Sequence, residues 1–160
     1  MSDVRARRAV GAFGVDSGVD HDPFRLERFV VAQDADGTYE RAVAELRRGR
    51  KTTHWMWFVF PQVAGLGGSP MSKTYAISSV VEAEHYLRHP VLGPRLVECA
   101  GIVANAPAAS AEQIFGDVDA QKLHSSMTLF MRAAPGEPVF GVVLDRFFGG
   151  IPDAATDQRL

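Results

Sequence analysis

The chain has 160 residues, a formal net charge of -2 and a sequence pI near 6.2, with 46% hydrophobic and 22% charged residues. That length suits one domain, which buries roughly 70% of the surface its unfolded chain exposes, and the composition is that of an ordinary soluble globular protein. The acidic balance disfavours a nucleic-acid partner bound by phosphate neutralisation.

One cysteine, Cys99, excludes an intramolecular disulfide and fits a reducing compartment. The longest strongly apolar run, Trp55 to Phe60, is far too short to span a bilayer, so no membrane partner is expected. No apolar segment follows Arg5, Arg7 and Arg8, so no export signal is read and the cytoplasm is the expected location.

Residues 1–21 show no sustained period and read as a disordered or loosely packed tail. Residues 22–160 read as a single all-helical domain. Asp22-Pro23 is an N-cap followed by proline at the first helical position, and Leu26, Phe29 and Val30 then share one helix face. After the Asp34–Gly37 turn, Thr38 is expected to cap a helix with Tyr39, Val43 and Leu46 inward. Arg41 and Glu45 read there as an exposed i, i+4 pair. Gly49 is a natural C′ residue.

Trp55 to Phe60 fits either a buried strand or a buried helical turn, ended by Pro61. Gly65 to Pro70 is a loop, and Ser72 to Ser78 reads as irregular. Ser79-Val80-Val81-Glu82 and Ser110-Ala111-Glu112-Gln113 are capping boxes. Leu92, Leu96, Cys99 and Val103 mark a helix between them. The helix after Ser110 should stop at Gly116. Asp119 is expected to cap the next, which carries Leu123, Met127 and Phe130 on one face. Pro138 opens a helix that Gly149-Gly150 closes, and Asp153 can start a last turn. About seven helices with short or irregular connections imply an all-α, compact single domain.

The stretch Gly49-Arg50-Lys51-Thr52-Thr53-His54-Trp55-Met56-Trp57-Phe58-Val59-Phe60-Pro61-Gln62 concentrates both tryptophans and much of the polar chemistry. With Gly65-Leu66-Gly67 after it, the chain resembles the family catalogued as domain of unknown function 1810. The likeness continues through Tyr75-Ala76-Ile77-Ser78-Ser79, Tyr86-Leu87-Arg88-His89-Pro90, Ser125-Ser126-Met127-Thr128 and Phe147-Phe148-Gly149-Gly150, and so covers about residues 22–160. Thr53 stands where the family typically has serine. The resemblance implies a compact, mostly helical bacterial protein and no reaction. Some relatives carry a calpastatin label, which a globular chain does not fit because calpastatin is an extended inhibitor.

His54 is the candidate general acid-base, since histidine titrates near neutrality, against the alternative of a buried neutral ring. Trp55 and Trp57 lie two apart and point to different sides, so at most one faces a ligand. Arg50 and Lys51 can bind an anion or complement a helix C-terminus. Gln62 can orient an amide or hydroxyl. Lys122, Ser125, Ser126 and Thr128 form a second constellation, read as a hydroxyl-bearing face opposite the apolar stripe. Lys122 and Ser125 are its ligand candidates, and Ser72, Tyr75 and His85 can join the same pocket. His85 and His89 have a zinc-compatible spacing but no third ligand, so no metal is assigned, and no cofactor is implied.

Two readings follow. In the first, a polar-aromatic pocket binds a small, anionic or nucleotide-like ligand, with hydrolase or glycosidase chemistry open through His54. In the second, the same residues are structural and the protein is a protein–protein interaction module. Oligomeric state is not legible from the sequence.

Overall fold

The computed structural model describes residues 22–160. The tail expected over residues 1–21 lies outside the described residues. Nine α-helical segments occur among the described residues, with no strand, so the chain is all-α as its periodicities imply.

The Asp22 carboxylate accepts the amides of Leu26 and Glu27 at 2.6 and 3.0 Å. The first helix, α1 (Glu27–Asp34), therefore opens later than Pro23. A 3-10 turn at Ala35–Gly37 leads into α2 (Thr38–Arg47). Thr38 lies inside this helix rather than capping it, and its hydroxyl donates back to the Ala35 carbonyl.

The expected Arg41–Glu45 surface pair does not form. Arg41 turns to the Asp36 carbonyl and the Thr38 hydroxyl, and Glu45 is 1% exposed. Gly49, at φ +79°, ends α2 in a Schellman turn. Its amide donates to Leu46 and the Arg50 amide donates to Glu45.

The ambiguous apolar run folds as one helical turn, α3 (Met56–Val59). After Pro61 the chain runs extended, and Val63 pairs with Ile77 in an isolated parallel bridge. Between them lies α4 (Pro70–Thr74), opened by Ser69, whose hydroxyl accepts the Ser72 amide. The sequence reading missed this helix because its five residues bury none of their side chains and so carry no apolar period.

Helix α5 (Val80–Arg88) starts at Ser79 as expected, with the Glu82 amide on the serine hydroxyl. The Glu82 carboxylate does not close a capping box. It takes the Ser78 amide and hydroxyl and pairs with Arg28 at 3.1 Å. Arg28 also donates to the carbonyls of Thr74 and Ala76, so α1 clamps the segment that carries Tyr75.

Helix α6 (Leu92–Ala104) follows at once. A Cβ on Gly93 would stand 2.1 Å from the Leu87 carbonyl oxygen, so glycine is needed for the turn between α5 and α6. Helix α7 (Ala111–Ala133) contains the break expected at Gly116, where φ is +76°, but it resumes at once, before Asp119. Helix α8 (Pro138–Phe148) ends at Gly149 in the left-handed region, and α9 (Ala154–Asp157) is capped by Asp153.

The core sits around α7, which packs against α5, α8 and α9. From Ser125 to Phe130 every residue of α7 is buried. The hydroxyl face expected at Ser125, Ser126 and Thr128 is therefore interior. Ser125 shares its one hydroxyl hydrogen between the Gln121 carbonyl and the Asp153 carboxylate, Thr128 donates to the His124 carbonyl, and the buried Ser126 hydroxyl has no partner among the described residues. Among the described residues no helix is long and apolar enough to cross a membrane.

Candidate functional site

The central motif divides into an interior half and a surface half. In the interior half Trp55 is 0% exposed and its indole N–H donates to Glu45 at 3.0 Å. The same carboxylate accepts the amides of Thr52 and Thr53 and the Thr53 hydroxyl. Burial would raise this carboxyl, but those hydrogen bonds outweigh it and hold its pKa at about 2. Glu45 therefore stays ionised and fully partnered, as a lock between α2 and α3.

Lys51 is also tied into this half. Its ammonium pairs with Asp119 at 2.8 Å, donates to the Thr53 carbonyl and lies 5.0 Å from the Trp55 ring centroid. Lys122 approaches the other oxygen of Asp119 at 3.6 Å and sits 5.1 Å from the ring of Trp57. The two lysines thus each cover one tryptophan and share one carboxylate.

The surface half begins at Trp57, which is partly buried and packs against the edge of the core. A cleft of about 140 Å³ opens beside it, lined by Trp57, Gln62, Gly65, Gly67, Ser72, Lys73 and Tyr75 among others. The local fold explains the convergence. Trp57 comes from α3, Gln62 from the extended run after Pro61, and Ser72 and Lys73 from α4. The parallel pairing of Val63 with Ile77 draws Gln62 toward Tyr75. The Tyr75 ring leans on Phe29 and Phe58, with centroids 5.7 and 5.3 Å away. Neither the Gln62 amide group nor the Tyr75 hydroxyl hydrogen-bonds to a described residue. Among the described residues nothing competes with a ligand for either group. A Cβ on Gly67 would stand 2.5 Å from the Ser72 hydroxyl, so the loop passes against α4 where glycine alone fits.

Of the candidates named from sequence, the structure brings Trp57, Gln62, Ser72 and Tyr75 to one cleft, with Lys122 over the Trp57 ring. It does not bring the others there. His54 is exposed, and its ring makes no hydrogen bond to a described residue. Arg50 lines a separate shallow groove with Lys51, Glu112 and Gln113. Trp55 is core, and Ser125 is buried against Asp153. His85 packs edge-on to Phe24, and His89 accepts the Val91 amide. No group of three or more potential metal ligands occurs among the described residues.

Sequence reasoning missed Glu45, Asp119 and the Gly65–Arg159 contact. Glu45 had a usable signal: Thr52, Thr53 and Trp55 supply a run of donors just past the end of its helix. The contact of Arg159 with Gly65 joins residues far apart in sequence and left none.

A family model described as a protein of unknown function (DUF1810) matches residues 23–160. The crystal structure of the conserved hypothetical protein Rv1873 from Mycobacterium tuberculosis is similar, with 52% sequence identity and a TM-score of 0.84. The similarity covers 87% of this chain and 98% of that one. No curated protein matches.

Proposed function

We propose that this chain, which belongs to the DUF1810 family, is a small-molecule-binding protein whose ligand enters the cleft between Trp57 and Tyr75. The observation that carries the reading is the pairing of a partly exposed indole with two polar groups that bond to no described residue, those of Gln62 and Tyr75, at one concavity. Ligand sites characteristically combine apolar walls with a few converging polar groups. The volume is that of one ring, since an engineered apolar cavity of about 150 Å³ holds benzene. The ring of the ligand stacks on Trp57, while Gln62 and the Tyr75 hydroxyl orient its polar edge.

The proposal is one of binding. Hydrolysis through His54 would need a partner to orient that ring and a substrate within its reach, and His54 does not line the cleft. A cytoplasmic location is part of the proposal, supported by a cysteine that is buried and free.

The competing reading, an interaction module with structural motif residues, draws on the Glu45 lock, because it makes Thr52, Thr53 and Trp55 parts of the fold. A thermal-shift screen with nucleotides, sugars, phosphorylated metabolites and small ring compounds separates the two, since a ligand that binds the folded state raises the melting temperature with the logarithm of its concentration over Kd. Stabilisation that disappears in both Trp57→Ala and Gln62→Ala supports the cleft. No stabilisation by any class, or shifts unchanged in both variants, overturns it.

A further inference from the structure

We infer that the cleft selects a monocyclic oxyanion, a single ring carrying a carboxylate or phosphate, and that Arg159 supplies the charge contact. This inference rests on the cleft being a ligand site. Its own evidence is the charge around the opening. None of the residues lining the cleft is acidic, and Lys73 is among them. Arg159 lies against the same rim: a Cβ built on Gly65 would stand 2.9 Å from one guanidinium nitrogen and 3.1 Å from the guanidinium carbon. Gly65, at φ +96°, thus satisfies a left-handed backbone and leaves room for the arginine.

The placement of Arg159 is built into the fold. Its amide donates to the Thr156 carbonyl at 2.9 Å, and Thr156 is buried and held by Asp153. Next to it, Asp157 takes two hydrogen bonds from Arg132. Arg159 itself forms no ion pair with a described residue, nor does Lys73. Lys51 and Lys122, in contrast, share Asp119.

The charge left open at the cleft is therefore positive and sits on its rim rather than on the Arg50–Lys51 pair. A guanidinium presents two parallel donors that match a carboxylate or phosphate. A ring seated on Trp57 can direct its oxyanion outward to that fork, with Lys73 as a second point charge.

Titration of Trp57 fluorescence with benzoate, phenyl phosphate and neutral benzamide tests this, with Trp57→Phe to assign the signal. Either oxyanion should bind at least about tenfold more tightly than benzamide, and the tighter of the two identifies the headgroup. Arg159→Ala should weaken oxyanion binding about tenfold and leave benzamide unchanged, and Arg159→Lys should fall between. Arg159 is exposed, so both variants should melt near the wild-type temperature. Equal binding of benzamide and the oxyanions, or oxyanion binding unaffected by Arg159→Ala, overturns the charge assignment and leaves the cleft standing. No quenching by any of the three overturns both.

Discussion

Glu45 and Trp55, ten residues apart, are joined by a buried hydrogen bond from the indole N–H to the carboxylate. The bond fixes the path of the chain between them. Gly49 turns α2 back on itself, and Glu45, in the last turn before it, reaches across to the Thr52 and Thr53 amides and the Trp55 ring. With Trp55 anchored inside, Trp57, two residues on, is left partly exposed at the cleft. The cleft therefore depends on a carboxylate that does not line it.

Glu45 should give the protein a distinct acid sensitivity. Its carboxyl titrates at about 2 in the fold against an ordinary 4.5. The folded state thus binds fewer protons than the unfolded state between those values. The stabilisation is complete above pH 4.5 and is lost as pH falls toward 2, to a total of about 3 kcal/mol at most. Glu45→Ala should cost about 3 kcal/mol at neutral pH, because the Trp55 and Thr53 donors lose their acceptor. Urea midpoints for wild type and Glu45→Gln at several pH values provide the check. The gap between them should narrow on acidification, and parallel curves would show that Glu45 is not the titrating group.

How far the sequence disclosed this arrangement depended on the range of each interaction. Local signals read well. Ser79, Ser110 and Asp153 cap where their spacing predicts, Gly49 and Gly149 end helices, and the stripe from Leu92 to Val103 is buried. Signals that depend on tertiary neighbours read poorly. Glu45 looked like half of a surface pair, because an i, i+4 charge pattern is the same whether or not another segment covers it. Ser125, Ser126 and Thr128 read as a hydroxyl face for a ligand, yet α7 is enclosed on every side there. The sequence offers Trp57, Gln62, Ser72 and Tyr75 for one pocket together with Arg50, Lys51, His54 and Ser125, and does not separate the four that converge from those that do not. The pairing of Val63 with Ile77 that gathers them is an isolated bridge, with no strand pattern to announce it.

The two tryptophans should be separable by solvent access. Trp55 is 0% exposed and Trp57 is half-buried at the cleft. In Trp57→Phe the remaining emission should be blue-shifted and nearly insensitive to iodide or acrylamide. In wild type roughly half of it should be quenchable. Trp55→Ala should cost about 4 kcal/mol, since it leaves a large void as well as an unpaired Glu45 acceptor. Trp57→Ala should cost markedly less. Comparable quenching in wild type and Trp57→Phe would contradict the assignment of the exposed ring.

Cys99 should be chemically silent in the native protein. It is fully buried in α6, and burial pushes its thiol up to about 12 despite the hydrogen bond to the Tyr39 hydroxyl. At pH 8 almost no thiolate is present, and reagent cannot reach it. Labelling by an aromatic disulfide reagent should proceed at the rate of unfolding and accelerate as urea is added. Rapid labelling in buffer, with circular dichroism unchanged, would show that the α6 face opens locally.

Asp153 should control the end of the chain that carries Arg159. Its carboxylate accepts the Thr156 amide and hydroxyl at 3.1 and 2.7 Å, together with Ser125 at 3.3 Å and Gln121 at 3.2 Å. Its own amide donates to Thr128. Asp153→Ala removes the cap of α9 and should cost about 2 kcal/mol. The amides of Asp157 to Arg159 should then lose protection in hydrogen exchange while those of α7 keep theirs, because Asp153 caps α9. Asp153→Asn retains an acceptor oxygen and should lose less. If Arg159 is placed by this cap, Asp153→Ala should also weaken benzoate more than benzamide. Unchanged exchange at the three amides would mean that the Arg132–Asp157 pair, rather than Asp153, holds the segment in place.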